Sequence, residues 1–279
     1  MVTCKEYVET RKEQLKERIK TLGRKPKLCV VQIGNNPASN SYIKGKKKDC
    51  EEIGITFNHL HIENYEEVSQ VVLMEMIELI DADPTTDGII IQLPIPDKYD
   101  VEELQKCISP DKDVDGFRKD SYFDPCTPKG VIDWLKYNNY AFAGKTACVI
   151  GRSDIVGKPL SRMLSDLDST VILCHSKTPV DKLDKLITNS DIVFTCINQI
   201  EYFDSHDFYS WQDIIDIGLG RGIDGKLHGN ITGNHVDYLK ERNYGHFIIS
   251  GVGGVGLLTR ESLLENVLYA CELHTKGIK

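Results

Sequence analysis

Apolar positions along this chain alternate between two rhythms: short β-branched runs, and longer stretches in which apolar residues recur every three or four positions. The run Lys27 to Ile33 (Lys-Leu-Cys-Val-Val-Gln-Ile) predicts a buried strand that ends at the turn Gly34-Asn35-Asn36-Pro37. The charged stretch before it, Thr10 to Leu22, has helical spacing. After the turn a second helix is expected, with Ser39 as N-cap, Tyr42 to Ile53 continuing it and Gly54 ending it before a strand over Ile55 to Ile62. A helix over Val68 to Ile80 then leads to Asp87-Gly88-Ile89-Ile90-Ile91-Gln92-Leu93, a run stopped by Pro94 and Pro96. Such alternation predicts a parallel sheet covered by helices on both faces.

Beyond a turn-rich stretch at Asp124-Pro125-Cys126-Thr127-Pro128, a helix over Gly130 to Tyr137 precedes the strand Lys145 to Gly151, and a second αβ unit begins. Further strands are expected at Thr170 to Cys174, Asp191 to Ile197, Asp213 to Ile217 and His246 to Ile249. The apolar spacing of Arg260 to Leu273 predicts a last helix that packs back on the N-terminal domain. The fold class read from this is α/β, with two αβ domains, the C-terminal one a Rossmann-type doubly wound parallel sheet. Residues 1–120, joined by a C-terminal helix at about 258–279, form the first domain, and residues 121–257 the second.

Composition narrows the function. With 42 acidic against 34 basic residues and a net charge of -8, the chain lacks the basic footprint of a nucleic-acid binder. Nine cysteines without a Cys-x-x-Cys pair argue against a disulfide framework and for a reducing cytoplasm. No apolar run approaches the ~18 residues of a membrane span, and the start, Met-Val-Thr-Cys-Lys-Glu, has no apolar h-region, so an untargeted chain without a membrane partner is expected. The eight histidines show no His-x-x-x-His spacing, and no metal site is expected.

Two places carry candidate chemistry. In Ser41-Tyr42-Ile43-Lys44-Gly45-Lys46 a phenol and an amine stand at i and i+4, so on a helix they share a face and can address one small molecule. Tyr-x-x-x-Lys is short and common, and taken alone, beside Lys44, Lys47 and Lys48, it reads more readily as a solvated helix face. The second place is strand, then Gly151-Arg152-Ser153-Asp154-Ile155-Val156-Gly157-Lys158-Pro159, then helix, the setting in which backbone N–H groups meet a pyrophosphate. Gly151 and Gly157 are spaced more widely than in Gly-x-Gly-x-x-Gly, and an ordinary strand-to-helix turn is the competing reading. The strand Thr170 to Cys174 ends in His175-Ser176-Lys177-Thr178 with no carboxylate at its tip, and with Arg152 nearby, Ser176 offers donors for a 2′-phosphate, which favours NADP over NAD. Ser250-Gly251-Val252-Gly253-Gly254-Val255-Gly256 reads either as a close approach of backbone to a ligand or as a hinge.

Taken in order, these motifs resemble one family, the bifunctional methylenetetrahydrofolate dehydrogenase/methenyltetrahydrofolate cyclohydrolases. The carriers are Ser41 to Lys46 with Cys50-Glu51-Glu52-Ile53-Gly54, Asp87 to Pro96, Asp111-Lys112-Asp113-Val114-Asp115-Gly116-Phe117, Pro125-Cys126-Thr127-Pro128-Lys129-Gly130, Gly151 to Pro159, Cys174 to Thr178 and Gly253-Gly254-Val255-Gly256. The resemblance covers nearly the whole chain. It implies a cytoplasmic homodimer of one-carbon metabolism and purine biosynthesis, with folate in a cleft between the domains. Tyr42 would stack over the folate, Lys46 would be central to the chemistry, Gln92 would hydrogen-bond Lys46 without adding a charge, and Asp115 would hold the pterin. Leu93, Pro94, Gly253 and Gly254 would line the substrate. Gly151, Arg152, Ser153, Ile155, Val156, Gly157, His175, Ser176 and Ile197 would bind NADP, with NAD as the alternative.

The chain also departs from the family pattern. Ser250-Gly251-Val252-Gly253-Gly254-Val255-Gly256-Leu257-Leu258-Thr259 stands where members read Pro-Val-Pro-Gly-Gly-Val-Gly-Pro-Met-Thr, so all three prolines are absent and a more mobile loop is expected. Ile197-Asn198-Gln199-Ile200 replaces Val-Gly-x-Pro, and Gly229-Asn230 replaces Gly-Asp. These changes lie in the cofactor half, so they bear on dehydrogenase efficiency more than on folate binding. A cyclohydrolase without hydride transfer, or a folate- or nucleotide-binding protein, is the alternative they open. A short-chain dehydrogenase, which also uses Tyr-x-x-x-Lys, would carry its glycine turn before that pair.

Overall fold

A computed structural model describes residues 1–204, 207–241 and 247–276, except for the side chain of Asn234. It divides into two compact units, each built on its own parallel sheet. One contains Val8–Cys126 and the chain from Arg260 onward; the other contains Met1–Tyr7 and Thr127–Thr259.

In the three-stranded unit the elements are most of α1 (Cys4–Lys20), β1 (Lys27–Ile33), α2 (Pro37–Ile53), β2 (Thr56–Ile62), α3 (Gln70–Asp81), β3 (Gly88–Ile91), α4 (Val101–Lys106) and most of α9 (Gly256–Lys276). The strands run parallel in the order β2-β1-β3, with Leu28 opposite both Phe57 and Gly88. The two-residue period of β1 explains the layering. Leu28 and Val30 pack with Leu15, Ile43, Ile53 and Val267 on one face, whereas Cys29, Val31 and Ile33 pack with Leu73, Ile77 and Leu104 on the other.

Several expected boundaries are corrected by side chains that compete for helix ends. α1 begins at Cys4, not Thr10, because Thr3 and Glu6 form a capping box: Thr3 Oγ1 accepts the Glu6 N–H at 3.2 Å while the Glu6 carboxylate accepts the Thr3 N–H at 2.8 Å. The N-cap of α2 is Asn36, not Ser39; its Oδ1 accepts the N–H groups of Ala38 (2.9 Å) and Ser39 (3.2 Å), and Pro37 starts the helix without a wasted donor. Gly54 ends α2 at φ +96°, a left-handed conformation suited to glycine. α3 starts after Ser69, which caps Val72 N, so it is shorter at its start than expected.

The five-stranded unit holds α5 (Cys126–Tyr137), β4 (Thr146–Ile150), α6 (Gly157–Asp166), β5 (Thr170–Cys174), α7 (Val180–Thr188), β6 (Ile192–Thr195), β7 (Asp213–Asp216), α8 (Gly233–Glu241) and β10 (Ile248–Ile249). Helix α5 starts at Cys126, inside the stretch expected to be a turn, because Pro128 falls in its first turn, where a missing N–H costs nothing. The strand expected from His246 begins at Ile248; His246 itself, and residues 277–279 of the expected last segment, lie outside the described residues. All five strands are parallel in the order β10-β7-β6-β4-β5. An antiparallel hairpin, β8 (Leu219–Arg221) and β9 (Leu227–Gly229), was not expected, since its glycine-rich polar run has no apolar period.

A fully buried carboxylate, Asp87, fixes the start of β3. It accepts bonds from Arg24 Nη1 (2.7 Å), the Lys27 N–H (2.9 Å) and His274 Nδ1 (3.0 Å), so it ties β1 and α9 to β3. Burial alone would raise its pKa; the bonds from His274, Arg24 and the Lys27 N–H outweigh that and lower it. Its stabilisation is therefore complete above the carboxylate range of an unfolded chain and is lost as pH falls through the lowered folded value. Asp87→Ala should lower the unfolding free energy by roughly 3 kcal/mol at pH 7, read from urea denaturation, with the deficit shrinking below about pH 4.

Candidate active site

Helix α2 carries Tyr42 and Lys46 on one face, and the structure separates them from their lysine neighbours. Lys44, Lys47 and Lys48 are exposed, Tyr42 is half-buried, and Lys46 is only 7% exposed. The buried amine has one hydrogen bond among the described residues, from Nζ to Gln92 Oε1 at 3.1 Å. Gln92 follows β3, and its own amide nitrogen donates to Leu93 O at 2.9 Å, which fixes the oxygen towards Lys46. Ser39, which sequence placed at the helix cap, instead donates to the same Leu93 O at 3.3 Å and joins α2 to the segment after β3. Pro94 is exposed and follows a cis peptide bond.

Asp115 is brought to the same end of the sheet. Residues 112–114 run beside β3, with Ile89 N–H bonded to Lys112 O at 2.8 Å and Ile89 opposite Asp113. Parallel pairing therefore delivers Asp115 and Gln92 in the same direction. Gly116, at φ +72°, lets this loop press against the backbone of Phe123 and Asp124, where a methyl group would sit 2.6 Å from Asp124 C. Asp113 serves the loop: its Oδ2 accepts the Arg118 N–H at 2.8 Å, and burial pushes its carboxyl up to about 6.

A second set of residues, which sequence reading missed, anchors α2 from behind. Asp49, one turn after Lys46, is 4% exposed and pairs with Lys12 Nζ (2.6 Å) and Arg260 Nε (2.7 Å). The Arg260 guanidinium lies over Gly45, where a methyl would meet Nη1 at 2.6 Å. Nothing local marks these partners, because they come from α1 and α9.

In the five-stranded unit, Gly151 ends β4 at φ +130°, and its N–H donates to Cys174 O at 2.9 Å. A methyl at Gly151 would overlap Cys196 O, and one at Gly157 would overlap Gly151 O, so turn, helix α6 and the end of β6 are pressed together. The sheet order makes β4 and β6 adjacent, with the chain leaving in opposite lateral directions; this is the switch point where α/β sheets open a ligand crevice. Ile197 lies half-buried beside it, directly after Cys196. Helix α6 begins at Gly157 with Val156 as N-cap, and Ser153 holds its start: Ser153 Oγ accepts the Gly157 N–H at 3.4 Å and Ser153 O the Lys158 N–H at 3.1 Å. Arg152, Ser153 and Ile155 are exposed around the turn, and Val156 is half-buried.

At the tip of β5, His175 holds its own turn: its N–H donates to Thr178 Oγ1 (3.0 Å) and its Nδ1 accepts the Lys177 N–H (3.2 Å). Ser176 and Lys177 are exposed at the same sheet end as Gly151 and Arg152. Gly251 and Gly254 are buried, Gly253 is exposed at φ +75°, and Ser250 Oγ accepts the Val252 N–H at 3.2 Å. No group of His, Cys, Asp and Glu able to hold a metal occurs among the described residues.

The fold and these sites define a two-unit α/β protein: a dinucleotide-type crevice on one sheet, and a buried lysine held by a neutral amide on the other. Residues 2–115 match the model of the tetrahydrofolate dehydrogenase/cyclohydrolase catalytic domain, and residues 125–275 match that of the tetrahydrofolate dehydrogenase/cyclohydrolase NAD(P)-binding domain. The chain belongs to this family. It is 36% identical to bifunctional protein FolD of Agathobacter rectalis over 93% of this chain and 94% of that one, and 34% identical to FolD of Bacillus subtilis over 96% of each. The crystal structure of the bifunctional FolD enzyme of Campylobacter jejuni matches with a TM-score of 0.89 at 32% identity, covering 97% of this chain and 98% of that one.

The raised carboxyl of Asp113 makes a prediction with a definite sign. Between about pH 4 and 6 the folded state holds a proton that the unfolded chain has released, so this group's contribution to stability falls as pH rises through that window. Asp113→Asn removes the titration. Urea unfolding should show the variant gaining on the wild type by ~2 kcal/mol between pH 4 and 6.5.

Proposed function

We propose that the chain is a bifunctional enzyme that oxidises 5,10-methylenetetrahydrofolate to 5,10-methenyltetrahydrofolate with NADP and hydrolyses the product to 10-formyltetrahydrofolate. The observation that carries this reading is the buried Lys46 amine held by Gln92 Oε1 at 3.1 Å, in a chain that matches both family domains. NADP, when bound, supplies the hydride acceptor; what the protein adds to that step is alignment.

In the hydrolysis, water adds to the methenyl carbon and loses a proton, and the carbon–N5 bond then breaks as N5 takes a proton and the new hydroxyl gives up its own, leaving the formyl group on N10. Lys46 is the group placed to move these protons, and no carboxylate pairs with it among the described residues to fix its ammonium in place. Gln92 orients the amine through a neutral oxygen. Tyr42, one turn earlier on the same face, stacks on the folate, and Asp115 accepts hydrogen bonds from the pterin. Leu93 and Pro94 line the substrate.

For the cofactor, Gly151, Arg152, Ser153, Ile155, Val156 and Gly157 take the pyrophosphate side, and Ile197 forms the floor. His175 shapes the turn that presents Ser176. The absence of a carboxylate from Cys174 to Thr178, with Ser176, Lys177 and Arg152 exposed at one sheet end, supports a 2′-phosphate and hence NADP over NAD. A cyclohydrolase without hydride transfer is disfavoured, since the crevice glycines keep their close packing and the NAD(P)-binding domain model matches. All nine cysteines are free thiols, which supports a reducing cytoplasm, and no helix among the described residues is long and apolar enough to cross a membrane. A homodimer that supplies formyl groups for purine biosynthesis completes the reading.

Purified protein should form methenyltetrahydrofolate at least tenfold more efficiently (kcat/KM) with NADP than with NAD. Lys46→Met should lose methenyl hydrolysis by three orders of magnitude or more and still bind NADP, checked by absorbance assays and calorimetry. Wild-type hydrolysis in that variant would remove Lys46 from the mechanism.

A further inference from the structure

We infer that the side-chain amide of Asn230 is the pin that sets the floor of the dinucleotide crevice, which makes Asn230 a positioning residue for bound NADP. The inference rests on the reading of Ile197 as cofactor floor, and it deepens that reading by naming what holds the floor in place.

Asn230 is fully buried and follows β9. Its Oδ1 accepts the Ile197 N–H at 3.0 Å, and its Nδ2 donates to Ile197 O at 2.8 Å and to Gln199 O at 2.7 Å. One acceptor and both donors of the amide are thus spent on a single three-residue segment. Its own backbone is fixed in turn: the Asn230 N–H donates to Asp216 Oδ1 at 3.0 Å, the Ile231 N–H to Oδ2 at 3.3 Å, and Thr195 Oγ1 to Oδ1 at 2.8 Å. Asp216 ends β7 and Thr195 ends β6, so the ends of two central strands, the Asn230 backbone and the floor segment form one hydrogen-bonded node.

The node is pressed against the rest of the crevice by glycines. A methyl at Gly218 would overlap the Asn230 amide, one at Gly229 would overlap the Asp216 carboxylate, and one at Gly251 would sit 2.9 Å from Gly218 O. Upstream of Ile197, Cys196 O already lies where a methyl at Gly151 would go. The pyrophosphate turn, the floor and the glycine cluster therefore meet around one amide. Only an amide satisfies this place: a carboxylate can accept from Ile197 N–H, but it has no hydrogen for the two carbonyls. The floor segment here lacks the proline that stiffens it in the family pattern, and the chain carries Asn in place of Asp at the position that clamps it. The two departures are thus one substitution of holding device, hydrogen bonds in place of a rigid ring.

The test compares Asn230→Asp and Gly218→Ala with the wild type in NADP binding by calorimetry and in dehydrogenase kinetics. Both variants should raise the NADP dissociation constant and KM at least tenfold, more than they lower kcat. Asn230→Asp should recover several-fold relative to wild type as pH falls from 7.5 to 5.5, because a protonated carboxyl, with the Asp216 carboxylate bonded to the backbone N–H of the same residue, regains one donor; Gly218→Ala should not. Affinity within twofold of wild type in Asn230→Asp, or a loss that pH does not change, overturns the inference. Hydrogen exchange on the wild type needs no variant to fold: NADP should slow exchange at Ile197 to Gln199, and an unchanged rate there overturns it as well. A wild-type protein that binds no NADP overturns the functional reading and this inference together.

Discussion

A lysine amine taken almost out of water, with a neutral amide as its partner, is the constraint around which the three-stranded unit is arranged. Lys46 is 7% exposed and is held by Gln92 Oε1. Burying an amine costs free energy unless it is bonded. A single amide oxygen satisfies it and leaves its remaining donors for a ligand. That solution only works if α2 cannot slide, and the burden falls on groups outside the site. Asp49, clamped by Lys12 and Arg260, fixes the back of the helix, while Ser39 ties its front to Leu93.

The five-stranded unit meets a different demand, bringing backbone close to backbone. Glycine is needed at Gly151, Gly157 and Gly218 because another segment occupies the space of a side chain. Close approach of that kind leaves polar atoms with few ways to be satisfied. The buried carboxylate of Asp216, which burial pushes up to about 6, and the amide of Asn230 meet that need together. One unit holds a side chain still; the other holds backbone close to backbone.

The strand β1 was legible to the residue, since a run with five apolar residues in seven, stopped by Gly34-Asn35-Asn36-Pro37, has few other readings, and the stop at Gly54 was visible as a lone glycine after a periodic stretch. The N-cap of α2 was misplaced because Asn36 and Ser39 are both good caps, and only the backbone decides which faces the free N–H groups. The start of α1 is set by the Thr3–Glu6 capping box, which apolar periodicity does not register. The hairpin of β8 and β9 left no periodic trace at all. Among site residues, Tyr42, Lys46, Gln92, Gly151 and Gly157 stood in short motifs. Asn230 stood out only as a departure from Gly-Asp, and Asp49, Arg260 and Asp216 in no motif at all, because each works through partners remote in sequence.

By itself the sequence determined the class of the fold, most of the places where chain direction reverses, and the short motifs that mark the family, because apolar period, turn residues and short motifs are local properties. Only the tertiary structure decided that Lys46 is buried while Lys44, Lys47 and Lys48 are solvated, and that Gln92 turns its oxygen to the amine. It also decided that the unusual Asn230 is an anchor for the residues after β6. Burial and hydrogen-bond partnership arise from packing between remote segments, and no local pattern encodes which segments those are.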